Sequence, residues 1–303
     1  MSLGHDDRLF VLVFDHRTSF RRLLGVGDDP STEERRRLED AKRLVWEGFE
    51  RAHDRLAIPS RELGVLVDEE LGAEVARAAT RAGVRLAMPV ERAGQRVFEF
   101  EYGDEFARHI EAFEPDAAKV LVRWNPDDDP ADKKLQAQRL SRLGAWLHET
   151  ERRLLLELLV PASESDLARV DGDADRYDTE LRPQLTLRAV REIRDLGVEP
   201  DLWQLVAPDD PADGEALAGL IRDEGRDAVH ALVLGDAGDE RFERRLRVAA
   251  PIDGFAGFAA GPPAWAGPVS AHLAGDIDRD EAAERIGAGF SSLLDAYLDA
   301  ETT

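Results

Sequence analysis

Two ionisable residues interrupt apolar runs that are otherwise short enough to be strands. Lys119 opens Lys119–Trp124 (KVLVRW), and Glu157 breaks Leu154–Val160 (LLLELLV). Side chains alternate between the two faces of a strand, so Lys119, Leu121 and Arg123 share one face, as do Arg153, Leu155, Glu157 and Leu159. A glutamate among leucines faces a helix layer or a barrel interior, and in either place an unpaired carboxylate is costly. A cation must lie close, and Lys119 on the neighbouring run is the natural candidate. Two readings stay open: a pair that works on a substrate, or an ion pair that only stabilises the ground beneath a site.

Other polar groups end the remaining runs. Asp15-His16-Arg17 follows the first, and an acid beside a histidine suits sugar hydroxyls or proton transfer, or else caps the next segment. Asp68-Glu69-Glu70 follows the second, as a substrate contact at Asp68 or as the acidic first turn of a helix. Three carboxylates could hold a divalent metal, but no histidine converges on them, so no metal is expected. Glu91 ends the third run and Arg123 the fourth. The histidines other than His16, at 5, 53, 109, 148, 230 and 272, show no ligand spacing. Cysteine is absent, which removes disulfides and thiolate chemistry, and only four lysines, at 42, 119, 133 and 134, could supply an amine.

These groups need a scaffold that brings strand ends together. Eight strand-length runs are legible: Leu9–Phe14, Gly64–Asp68, Arg85–Val90, Ala118–Trp124, Arg153–Val160, Leu202–Val206, His230–Leu234 and Gly254–Ala259. Helical patterns separate them, at about Glu33–His53, Gly72–Ala82, Glu105–Ala112, Lys133–Glu151, Leu185–Leu196, Gly214–Asp223, Asp239–Ala249 and Arg279–Leu298. Eight strands with eight following helices predict an α/β fold, a TIM (β/α)₈ barrel, as one domain over residues 1–303. The other candidate is a doubly wound open sheet, but no GxGxxG or GxxxxGK[ST] loop follows any strand. Gly261–Pro268 (GPPAWAGP) reads as the loop after the last strand.

The formal net charge of −23 argues against nucleic acid and anionic membranes as partners, because affinity for phosphate backbones needs clustered Lys and Arg. No apolar run approaches the roughly 20 residues of a membrane helix. Met1–Asp7 lacks the basic and apolar segments of a secretion signal, so a cytoplasmic protein is expected. Barrels of this kind associate through their outer helices, which makes a homo-oligomer the expected state.

At the same residues the chain resembles a known family. The strings Leu9–Arg17 (LFVLVFDHR), Gly64–Glu69 (GVLVDE), Met88–Glu91 (MPVE), Phe98–Gly103 (FEFEYG), His109–Phe113 (HIEAF), Lys119–Pro126 (KVLVRWNP), Glu157–Ala162 (ELLVPA) and Tyr177–Pro183 (YDTELRP) run in order along it. They are similar to the aldolase-like domain that is fused to a sugar kinase in bacterial inositol-catabolism proteins. That domain is associated with cleavage of 2-deoxy-5-keto-gluconate 6-phosphate and is a distant relative of the class I tagatose-bisphosphate and sulfofructose-phosphate aldolases. The resemblance implies cleavage of a phosphorylated ketose through a lysine imine, without a cofactor. It also implies Asp15 on substrate hydroxyls, Lys119 as a second cation and Glu157 in proton transfer.

The chain departs from the pattern where the resemblance implies the imine lysine. The segment there is Asp201-Leu202-Trp203-Gln204, and a carboxamide nitrogen, delocalised into its carbonyl, is not nucleophilic. The glycines after strands seven and eight are followed by Asp236 and Pro262, where the resemblance implies arginine phosphate clamps. Two functions are consistent with these departures. One is an aldolase-like carbon–carbon lyase of carbohydrate catabolism with altered chemistry, acting on a carbohydrate or keto acid. Its catalytic residues would be Asp15, Lys119 and Glu157, and its substrate contacts His16, Arg17, Asp68, Glu91, Arg123, Gln204 and Asp236. The other is a non-catalytic sugar-binding protein or partner subunit. In the lyase reading Lys119 could also take over as the amine.

Overall fold

Eight parallel strands follow one another in chain order round a closed barrel in a computed structural model, which describes residues 8–235 and 240–302. They are β1 (Leu9–Val13), β2 (Leu63–Leu66), β3 (Arg85–Pro89), β4 (Ala117–Arg123), β5 (Arg153–Leu159), β6 (Leu202–Leu205), β7 (His230–Gly235) and β8 (Phe255–Ala260). Each hydrogen-bonds to the next, and β8 closes on β1. The chain is therefore the predicted TIM barrel and not an open sheet.

Strand parity decides what fills the barrel. Leu9, Val11 and Val13 point inward and meet Leu155, Leu202 and Leu232 in a small inner core. The alternate residues Phe10 and Leu12 belong to the larger core beneath the helices, where Phe10 packs on Phe258 with ring centroids 5.3 Å apart. Closure requires a glycine at the last seam. Gly257 pairs with Leu9 at φ 141°, and a Cβ there would lie 2.1 Å from the Leu9 carbonyl oxygen.

The helices are α1 (Thr18–Leu23), α2 (Thr32–Arg55), α3 (Glu69–Ala82), α4 (Phe106–Phe113), α5 (Pro130–Glu149), α6 (Glu164–Arg169), α7 (Ala174–Arg176), α8 (Arg182–Asp195), α9 (Pro211–Arg222), α10 (Glu240–Ala249), α11 (Ala266–Ala274) and α12 (Arg279–Glu301). Their starts follow local chemistry. Ser31 and Glu34 form a capping box on α2, and Asp129 and Asp210 cap α5 and α9 just ahead of a proline in the first turn.

The periodicity missed four of the helices named above. Three of them, α1, α6 and α7, have at most six residues each, too few for a 3.6-residue period to register. The fourth corrects the reading of Gly261–Pro268 as a loop: a 3₁₀ turn at Pro262–Ala264 leads straight into α11. Proline suits a first helical turn, since no intrahelical N–H bond is lost there. No helix among the described residues is long and apolar enough to cross a membrane.

Candidate active site

Continuing the inward parity past the strand centres leads directly to the polar groups. Val13 is followed two residues on by Asp15, Ala117 by Lys119, Leu155 by Glu157 and Leu202 by Gln204, and Glu91 lies on the same parity as Ala87. All five line one cavity of about 380 Å³ at the carboxyl ends of the strands, where enzymes of this fold do their chemistry. His16, Arg17 and Arg123 line it too.

Lys119 is the hub. Its ammonium is 2.8 Å from Glu157 Oε2, 3.0 Å from Asp15 Oδ2 and 3.1 Å from Glu91 Oε1, and its side chain is only 3% exposed. Burial opposes its charge, but the surrounding carboxylates of Asp15, Glu157 and Glu91 hold its pKa well above the ordinary lysine value. Such an amine stays protonated and has no lone pair for a carbonyl. The geometry therefore speaks against Lys119 as an imine-forming amine.

Two of the carboxylates sharing this ammonium, Asp15 and Glu91, are shifted in opposite directions. Burial raises both, but at Asp15 the charges of Lys119, His16 and Arg17 prevail and take it down to about 2. At Glu91 burial prevails over Lys119, the repulsion of Asp15 adds to it, and the pKa rises. Glu91 Oε2 is buried with no hydrogen-bond partner among the described residues.

The strand end carrying Asp15 is clamped from behind. Trp265 Nε1 donates to Val13 O at 2.9 Å, and Lys42 Nζ donates to Phe14 O at 2.8 Å and His16 O at 3.3 Å. Lys42 is wholly buried and also pairs with Asp68. Sequence reasoning counted this lysine without assigning it a place; the available signal was its position within the apolar stripe Leu38, Ala41, Leu44, Val45 and Phe49 of α2.

Asp68 requires a correction. It does not line the cavity. It lies beyond the end of β2, accepts from Leu71 N at 2.8 Å as the cap of α3 and is held by Lys42. Glu69 bonds His109 Nδ1 at 2.8 Å and Glu70 faces Arg21 at 3.4 Å, so these three carboxylates turn to three different partners. The acidic helix turn, left open as an alternative, is what the residues form.

Other predicted contacts are placed unevenly. Arg17 is occupied, donating to Glu101 Oε2 at 2.8 Å and to Glu91 O at 2.7 Å. Arg123 donates to Gln95 O at 3.0 Å. Both amide atoms of Gln204 are buried without a partner among the described residues. Asp236 lies outside the described residues. Sequence reasoning missed Arg22 and Gln95, which line the cavity from α1 and from the segment after β3. Inspecting strand ends alone could not reach them.

The same fold occurs in solved structures, two fructose-bisphosphate aldolases among them. A Schiff-base-forming fructose-1,6-bisphosphate aldolase superposes with a TM-score of 0.57 at 13% identity over 96% of each chain. Cgl0159 from Corynebacterium glutamicum gives 0.58 at 17% identity, covering 96% of this chain and 88% of that one. A fructose-bisphosphate aldolase from Slackia heliotrinireducens gives 0.56 at 13% identity, covering 93% and 86%. At these identities the likeness is one of fold. No protein of curated function matches in sequence. The family model DUF2090, described as an uncharacterized protein conserved in bacteria, matches residues 3–301, and the chain belongs to that family.

Proposed function

We propose that this protein is an aldolase-derived enzyme of carbohydrate catabolism that acts on a small hydroxylated carbonyl compound by acid–base chemistry, without a lysine imine. The observation that carries this reading is the convergence of Asp15, Glu91 and Glu157 on one buried ammonium in the cavity, with Glu91 Oε2 left without a hydrogen-bond partner among the described residues. Environments that push two carboxyls apart mark a division of acid and base roles. The resemblance to inositol-catabolism aldolase domains supports the pathway class, and the aldolase-like fold supports the substrate class.

In this reading a carboxylate at the cavity wall, Glu91 or Glu157, takes a proton from the carbon beside the carbonyl or from a hydroxyl one carbon further on. When the proton comes from carbon, the C–H pair moves to the carbonyl oxygen, towards which Gln204 Nε2 can donate. When it comes from the hydroxyl, the O–H pair becomes the C=O of the released aldehyde, and the C–C bond breaks with its pair moving to that same carbonyl oxygen. The protonated carboxyl then returns the proton to the enolate carbon. Asp15 stays ionised and orients hydroxyl groups. Lys119 fixes all three carboxylates and takes no covalent part.

Proton NMR in deuterated buffer tests this on dihydroxyacetone, hydroxypyruvate and ketohexoses. Exchange of the hydrogens next to the carbonyl, or cleavage, is expected, with Glu91→Gln or Glu157→Gln slowing it by about 100-fold or more. A wild-type protein that exchanges and cleaves none of them overturns the reading. Ligand binding without exchange would then favour the non-catalytic alternative.

A further inference from the structure

The charges lining the cavity run against those of the whole chain. In a protein of net charge −23, the described wall carries five cations, Arg17, Arg22, Arg92, Lys119 and Arg123, against three carboxylates. Most of these cations are spoken for: Lys119 by its three carboxylates, Arg17 by Glu101, and Arg92 by Glu99 at 3.1 Å. Arg22 and Arg123 have no carboxylate partner among the described residues. Both lie on the arc from β1 to β4. From β6 round to β8 the described wall is uncharged, with Gln204, Leu234, Gly235, Ala259, Gly261 and Pro262, while Glu157 on the adjoining β5 is held by Lys119.

Gln204 gives the second, independent observation. It is 1% exposed, lines the cavity, and leaves a donor and an acceptor unbonded among the described residues. A buried amide left unsatisfied costs about 1–3 kcal/mol for each group, so a ligand that offers it both an acceptor and a donor is favoured. A carbonyl flanked by a hydroxyl offers both.

Resting on the proposed function, we infer that the cavity takes a small hydroxylated keto acid, a monocarboxylate, with its carboxylate on the Arg22 and Arg123 side and its hydroxy-carbonyl end at Gln204. A planar carboxylate matches the guanidinium fork. A phosphate dianion matches less well, because one ammonium among three carboxylates leaves excess negative charge at the cavity floor. The volume of about 380 Å³ suits a sugar-sized molecule.

Calorimetry on the full chain tests this with three probes that share a hydroxyketone: dihydroxyacetone, uncharged; hydroxypyruvate, a monoanion; and dihydroxyacetone phosphate, a dianion. Hydroxypyruvate is expected to bind at least about tenfold tighter than either of the others, a difference worth about 1.4 kcal/mol. Arg22→Gln and Arg123→Gln should each shrink that preference, and Gln204→Leu should weaken all three probes. Arg22 is exposed, so its variant remains informative if Arg123→Gln fails to fold.

Equal affinities, tightest binding of the phosphate, no binding at all, or a preference untouched by Arg22→Gln would each overturn the inference. The readout is binding, so absence of hydrogen exchange would sink the proposed chemistry and leave this result standing. Exchange without the charge preference would do the reverse.

Discussion

Lys119 Nζ lies 2.8 Å from Glu157 Oε2, across the seam between β4 and β5, although the strand register pairs Lys119 with Leu155 and Glu157 with Leu121. The lysine stem spans those two residues of strand rise, so its ammonium reaches the level at which Asp15 and Glu91 also arrive. An amine placed there neutralises carboxylates.

Borohydride reduction in the presence of dihydroxyacetone or hydroxypyruvate should therefore leave the protein mass unchanged. A protonated lysine that donates to Asp15 and Glu91 and is paired with Glu157 does not add to a carbonyl. An adduct mapped to Lys119 by peptide mass spectrometry would contradict the account of the cluster.

Removing the hub should be expensive. Lys119→Met leaves three buried carboxylates without their cation and is expected to cost about 3–5 kcal/mol, read from the urea midpoint. A midpoint within error of wild type would mean that the cluster is far wetter than its burial indicates.

The two opposed carboxyls predict different pH behaviour. Asp15 is depressed to about 2 in the fold against about 3.9 when unfolded, so its contribution is complete above about pH 4 and disappears as pH falls towards 2. Glu91 is raised, so its stability contribution is present below the ordinary glutamate value and is lost as pH rises through its folded value. At pH 7, Asp15→Asn should consequently destabilise more than Glu91→Gln, and the Asp15→Asn deficit should shrink on acidification from pH 4 to 2. Urea titrations over that range check the order; a larger penalty for Glu91→Gln would reverse the assignment.

Lys42 offers a test of the clamp behind Asp15. Lys42→Met strips the bonds to Phe14 O and His16 O and leaves Asp68 buried without its cation, an expected loss of about 3–5 kcal/mol. Adding Asp68→Leu removes the orphaned charge and should recover part of that loss, although α3 then lacks its cap. A double variant less stable than Lys42→Met alone would show that Asp68 matters chiefly as the cap.

Alternation along the strands and the intervening helical periods were enough to predict the barrel, because burial on both sides of a parallel sheet leaves its mark on every strand residue. The inward placement of Asp15, Lys119 and Glu157 follows from that same parity. Asp68 shows where such reasoning stops. It ends a strand run as Asp15 does, yet one enters the cavity and the other caps α3. That choice was made by Lys42, a residue 26 positions earlier on a helix outside the barrel. Composition counts charges but not their partners, so only the folded chain could show that Lys119 is surrounded, that Arg17 is paired with Glu101, and that among the described residues Arg22 and Arg123 have no carboxylate partner and Gln204 no hydrogen-bond partner. Periodicity is a local property written in neighbouring residues. The pairing of buried charges depends on distances between segments remote in sequence, and those exist only once the barrel has closed.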